Sequence, residues 1–207
     1  FTLIFPSNIE NYYIYLMTGI IPWNFFTEAL GQGAGCIVCN SDMTKKIYFP
    51  REVLTIASVT AKFVNMLLAS VVVFGFLVFS HVGISWHLLL VPFVMLAEYL
   101  IALGLTLFFS AVTVYLRDME YIVSVLLQAW IWATPIMYAI DAIPVFVGHI
   151  LLLNPMTLVI TSYHNLLYYH QLPTALTWIG MYVFGIVILF IGEVVFTHLE
   201  GNFAEEL

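Results

Sequence analysis

The sequence predicts an all-α integral membrane protein, and three observations carry that prediction. Hydrophobic residues make up 63% of the 207 and charged residues 8%, against roughly 25% charged in soluble domains. The mean hydropathy is +1.04. Four runs, 12–38, 54–79, 88–114 and 175–196, each reach the ~20 mostly apolar residues a helix needs to cross a bilayer.

A fifth run, 122–140, is just long enough. Between it and the last run lies an apolar stretch interrupted by Asn154-Pro155, which leaves halves of about a dozen residues. Halves that short predict an outer re-entrant helical hairpin, placed at 141–172. The chain opens on FTLIFP, which reads as the last turn of a further span, so a truncated first span is expected at Phe1. The expectation is therefore one transmembrane domain over 1–207, with five complete spans and the end of another.

Only five residues are Lys or Arg, so their places set the orientation. Lys45, Lys46 and Arg51 follow the first complete span, and Arg117 lies two crossings later, so both loops are expected on the cytoplasmic side. The alternate connections hold no Lys or Arg and are expected outside. The acidic tail HLEGNFAEEL then falls inside, provided the hairpin does not cross. In VYLRDMEYIV, Arg117 and Asp118 occupy a tight turn; capping alone explains them, since a cation suits a helix C-terminus and an anion an N-terminus.

Several function classes are disfavoured. A net charge of -7 gives no basic footprint for nucleic acid. No nucleophile-base pair, metal-ligand spacing or Walker-type phosphate loop is present, so no catalytic or metal site is assigned. Cys36 and Cys39 read as small apolar packing groups. ATP, if it drives the protein, must be bound by another chain.

Within the spans, Glu28 and Glu98 are the deeper ionisable groups, and Lys62 and Glu193 lie nearer the ends. Such groups are functional candidates by default. Proton- or ion-coupled secondary transport of a lipid or sugar through Glu28 and Glu98 is one reading; pairing with neighbouring helices, Lys62 included, is the other. Aromatic residues form 16% of the chain. Tyr12, Tyr15, Gly19 and Phe26 recur at helical spacing on one face, as do Gln128, Trp132 and Pro135. Such rings either stack on sugars along a path or belong to an interfacial belt. The segment 40–53 is expected to be a charged cytoplasmic loop, a lipid anchor or a docking surface.

Taken in order, GIIPWNFFTEAL, KKIYFPREVL, VYLRDMEYIV, QAWIWATPIMY, LNPMTLVITSY and NFAEEL resemble the membrane subunit of type-2 ABC exporters that move O-antigen polysaccharide or teichoic acid. The resemblance implies a homodimeric permease in the bacterial cytoplasmic membrane, served by two copies of a separate ATPase that holds ATP and Mg. It implies that Lys45, Lys46, Phe49, Pro50, Arg51 and Glu52, with Arg117 and Asp118, form the ATPase-coupling cytoplasmic gate. It also implies that Tyr12, Tyr15, Phe26 and Trp132 line a path for a lipid-linked glycan or polyol-phosphate polymer, and that Pro135, Tyr138, Asn154 and Pro155 form an outer gate. His164 departs from the family's frequent Arg.

Overall fold

The computed structural model describes residues 11–42, 49–79, 85–140 and 144–206, and no strand occurs among them. The expected end of a first span, the residues Lys45 and Lys46, and the start of the 141–172 hairpin lie outside the described residues.

The helices among the described residues are α1 (Tyr12–Ala34), α2 (Cys36–Cys39), α3 (Glu52–Phe79), α4 (Val91–Tyr115), α5 (Met119–Trp130), α6 (Val145–Leu151), α7 (Pro155–Leu167), α8 (Ala175–Leu199) and α9 (Phe203–Glu206). Among the described residues three are long and apolar enough to cross a membrane: α3, α4 with the 3-10 turn before it, and α8 with the 3-10 turn after it. α1 has 23 residues but is not among them, because three tyrosines, Asn24, Glu28 and Gln32 dilute its apolar content.

The run 122–140 is not one helix. α5 ends at Trp130, continues as 3-10 through Ala133, and then turns. Proline explains the break: Pro135 has no N–H to donate and disfavours α geometry at the residue before it. Thr134 accordingly sits extended, at φ -125 and ψ 130. The Asn154-Pro155 break falls where expected. Asn154 caps α7 by accepting from the Met156 N–H at 3.0 Å, and Pro155 fills the first helical position, where a missing donor costs nothing.

α1, α4 and α8 run in one direction. Ala29 meets Thr106, Phe93 meets Tyr182, and Tyr115 meets Leu199. α3 runs the other way, with Thr55 near Cys36 and Lys62 near Glu28. The bundle thus has a Tyr15 end and an Arg51 end. α4 and α8 form the most extensive helix pair. Glycine makes this possible: a Cβ at Gly192 would collide with the Gly104 carbonyl, and one at Gly104 with the backbone of Leu189. Close backbone approach over small residues is how apolar helices gain packing where lipid offers no hydrophobic contrast.

Candidate functional site

At the Arg51 end, three segments distant in sequence converge. Phe49 and Pro50 lead into α3, and the Arg51 guanidinium donates through Nη1 to the Glu200 carbonyl. Its central carbon lies 5.8 Å from the centre of the Phe203 ring. Phe203 is wholly buried, edge-on to Phe196 at 5.6 Å and to Tyr115 at 6.2 Å. Tyr115 Oη donates to the Leu199 carbonyl at 2.9 Å. The Glu200 carbonyl also accepts the Phe203 N–H in the 3-10 turn that continues α8, so the guanidinium adds a second donor at a helix end where negative partial charge favours a cation. Two residues beyond Tyr115, Arg117 and Asp118 form an exposed turn.

At the Tyr15 end the bonds are neutral. Tyr12 Oη donates to the Met137 carbonyl at 2.7 Å, and Tyr15 Oη to the Tyr138 carbonyl at 3.0 Å. The Tyr15 ring stacks on His164, centroids 3.8 Å apart. Gly19 makes room for this stack, since a Cβ there would lie 2.8 Å from His164 Nε2. Tyr138 Oη donates to the Trp132 carbonyl at 2.9 Å. Asn154 Nδ2 donates to the Ala133 carbonyl and to Thr134 Oγ1, both at 3.1 Å. Pro135 is buried beside them. One asparagine therefore caps α7 and ties it to the turn that ends α5.

The aromatic stripe of α1 turns inward within the protomer. Tyr12, Tyr15 and Phe26 are buried among the helices, with Phe26 edge-on to Trp130 at 5.6 Å. Trp132 is exposed while Pro135 is buried, because the 3-10 turn rotates them off a shared face. Helical spacing identifies which residues share a face but not which way that face looks.

The face of α1 that looks outward is polar: Asn24, Glu28 and Gln32, four residues apart, are exposed. A cavity of about 220 Å³ between α1 and α3 is lined by Asn24, Glu28, Lys62 and Asn65 together with apolar Ile21, Phe25, Met66 and Ala69. In it Lys62 Nζ lies 3.4 Å from Glu28 Oε2. A second cavity of about 420 Å³, between α1 and α5, is lined in part by Thr27, Gly31, Ser124 and Gln128. Glu98 lies elsewhere, wholly buried on α4, where Oε2 accepts from Tyr163 of α7 at 2.8 Å. The two carboxylates thus have different partners on different helices. Cys36 Sγ lies 3.4 Å from Thr55 Oγ1, and Cys39 is exposed. Among the described residues no group of three or more His, Cys, Asp or Glu is placed to hold a metal.

Sequence reasoning missed Tyr115, Phe203 and His164 as organising residues. Only the NFAEEL segment offered a signal for Phe203.

A chain of this hydropathy, with three helices long enough to cross a bilayer and several shorter apolar ones, is a multi-pass membrane protein. It belongs to the ABC-2 type transporter family, which it matches over residues 1–168. It is similar to an O-antigen export system permease protein RfbA of Myxococcus xanthus, at 31% identity over 209 aligned residues covering 100% of this chain and 80% of that protein. An O-antigen export system permease protein RfbA of Klebsiella pneumoniae is 29% identical over the same coverage.

Proposed function

We propose that the chain is the permease subunit of an ATP-driven exporter, which moves a lipid-linked polysaccharide outward across the bacterial cytoplasmic membrane. The observation that carries this reading is similarity along the whole chain to permeases of O-antigen export systems. A homodimer encloses the path, and two copies of a separate ATPase supply ATP and Mg at the cytoplasmic face.

In this reading α1, α3, α4, α5 with its extension, and α8 are five crossings, and the α6–α7 hairpin enters and leaves on one side. α5 and its 3-10 turn reach only about 24 Å, short of a ~30 Å hydrocarbon core. The irregular stretch after them completes the crossing. Such backbone is tolerated at membrane depth when protein covers it, and Thr134 and Ile136 are buried. The return of α7 to the start of the neighbouring helices, through Tyr163 to Glu98 and Leu158 near Gly180, favours a hairpin that does not cross.

The rule that Lys and Arg favour the cytoplasmic side supports putting the Arg51 end inside, and the tail with it. Phe49 to Glu52, with Lys45 and Lys46, and the Arg117-Asp118 turn then meet the ATPase. The junction of Pro135, Tyr138, Asn154 and Pro155 forms the outer gate. The polar face of α1 and the exposed Trp132 ring line the path, while Tyr12, Tyr15 and Phe26 hold that wall in place. A half-exposed carboxylate such as Glu28 is costly against lipid but not against water.

The test is to express the full-length gene with its neighbours, purify gently in detergent, and identify what copurifies at equal stoichiometry. A Walker-type ATPase whose turnover depends on this chain is expected, with polymer retained inside cells lacking the gene. A folded chain without an ATPase, whose export survives ATP depletion but fails in Glu28→Gln or Glu98→Gln, would overturn the reading in favour of ion-coupled transport.

A further inference from the structure

We infer that the C-terminal segment 199–203 is a clasp that joins the two cytoplasmic loops, with Phe203 as the residue that positions Arg51. The inference rests on the ATP-driven reading for its consequence but not for its geometry.

The Leu199 and Glu200 carbonyls accept from donors at the edges of two different loops. Tyr115, two residues before the Arg117-Asp118 turn, donates to Leu199, and Arg51, at the mouth of α3, donates to Glu200. Both donors also touch one ring, Phe203. Phe203 is fully buried although glycine and asparagine precede it and both are exposed. An apolar ring in an otherwise polar tail is held only because Phe196, Tyr115 and Arg51 surround it.

An arginine suits this place better than a lysine. Its planar, weakly hydrated guanidinium can lie against an aromatic face while still donating in its own plane to a carbonyl. The carbonyls add the negative end of the α8 macrodipole. Arg51 is thereby fixed from the tail rather than from its own helix, and a push on the 49–52 segment is transmitted to the 117–118 turn through Phe203 and Tyr115. In an exporter, the two loops would answer the ATPase as one body.

Two readouts test this on the full-length chain. The first needs no partner: hydrogen exchange over 53–58 and 116–120 in the detergent-purified protein. Phe203→Ala is expected to speed exchange in both stretches by about fivefold or more, because each loses the ring it leans on. Phe203→Tyr keeps a ring and is expected to stay near the parent, and Phe203→Leu, which fills the space without a π face, to fall between. The second readout is ATPase stimulation: in Phe203→Ala the ATPase remains bound at unchanged stoichiometry, but its stimulation drops by about fivefold.

Unchanged exchange in both stretches in a folded Phe203→Ala protein overturns the clasp. Equal behaviour of Leu and Tyr at 203 overturns the Arg51 stacking at its centre, and it decides the matter if the alanine variant does not fold. If the parent chain binds no ATPase, the exporter reading fails while the exchange data still judge the clasp.

Discussion

The two ends of the bundle are tied by different chemistry. At the Tyr15 end, phenol hydroxyls and an asparagine amide donate to backbone carbonyls among stacked rings, with no full charge in the network. At the Arg51 end, a guanidinium donates to the Glu200 carbonyl just past α8 and a tyrosine to the Leu199 carbonyl, and exposed Arg117 and Asp118 follow that tyrosine in sequence. A neutral network keeps its worth in an apolar medium and can be buried whole. A guanidinium needs water or a helix terminus nearby. The contrast teaches that the ties at the Tyr15 end are built from neutral groups, while the guanidinium tie lies at the end where the exposed Arg117-Asp118 turn also stands.

The most severe way to break the contrast is to destroy the spine that holds both ends. Gly192 packs onto the carbonyl of Gly104, so Gly192→Leu forces α8 away from α4 along its length. Overpacking at a backbone-to-backbone contact is expected to cost more than about 3 kcal/mol. Both ends should fail together, seen as loss of the monodisperse peak by size-exclusion chromatography after mild heating. A variant that stays monodisperse would show that the ends are held independently.

The next effect separates the ends. Asn154→Ala removes the cap of α7 and both bonds to the 133–134 turn, and is expected to cost about 2 kcal/mol at the Tyr15 end alone. Asn154→Asp keeps the capping acceptor but loses both Nδ2 donors, so it should cost less than the alanine variant. Thermal unfolding in detergent measures both, and hydrogen exchange over 116–120 should stay at the parent rate. Equal losses for Asp and Ala would mean that the cap carries nothing and the turn everything.

Much of this layout was legible in the sequence, for reasons that can be named. α3, α4 and α8 were readable because lipid demands long unbroken apolar runs, and composition alone reports them. The α7 start was readable because Asn-Pro is both a helix stop and a cap. The bend after Trp130 was not, since its cause is a single proline inside an otherwise apolar run of spanning length. The inward turn of the Tyr12–Phe26 stripe was hidden because period 3.6 fixes a shared face without its direction. Phe203 was hidden most deeply, since its burial depends on Tyr115 and Arg51, far away in sequence, while the short tail around it, with Asn202, Glu205 and Glu206, carries no apolar pattern.

The smallest expected effect probes the charge that lies between the two ends. Glu28 and Lys62 pair at 3.4 Å, with side chains 50% and 19% exposed, in a cavity shared with Asn24 and Asn65. If water fills that cavity, a double-mutant cycle of Glu28→Gln and Lys62→Met should give a coupling of less than about 1 kcal/mol, the range of solvated ion pairs. Neither single change would then unfold the protein, because the partner left behind stays hydrated. If the cavity is dry, removing either member strands a charge, each single variant loses several kcal/mol, and the coupling rises well above that limit. Thermal unfolding of the four proteins in detergent decides between these outcomes. A small coupling would make the polar face of α1 a wetted wall and extend solvent well inward from the Arg51 end. A large one would confine water to the two ends and remove the α1 face from the path.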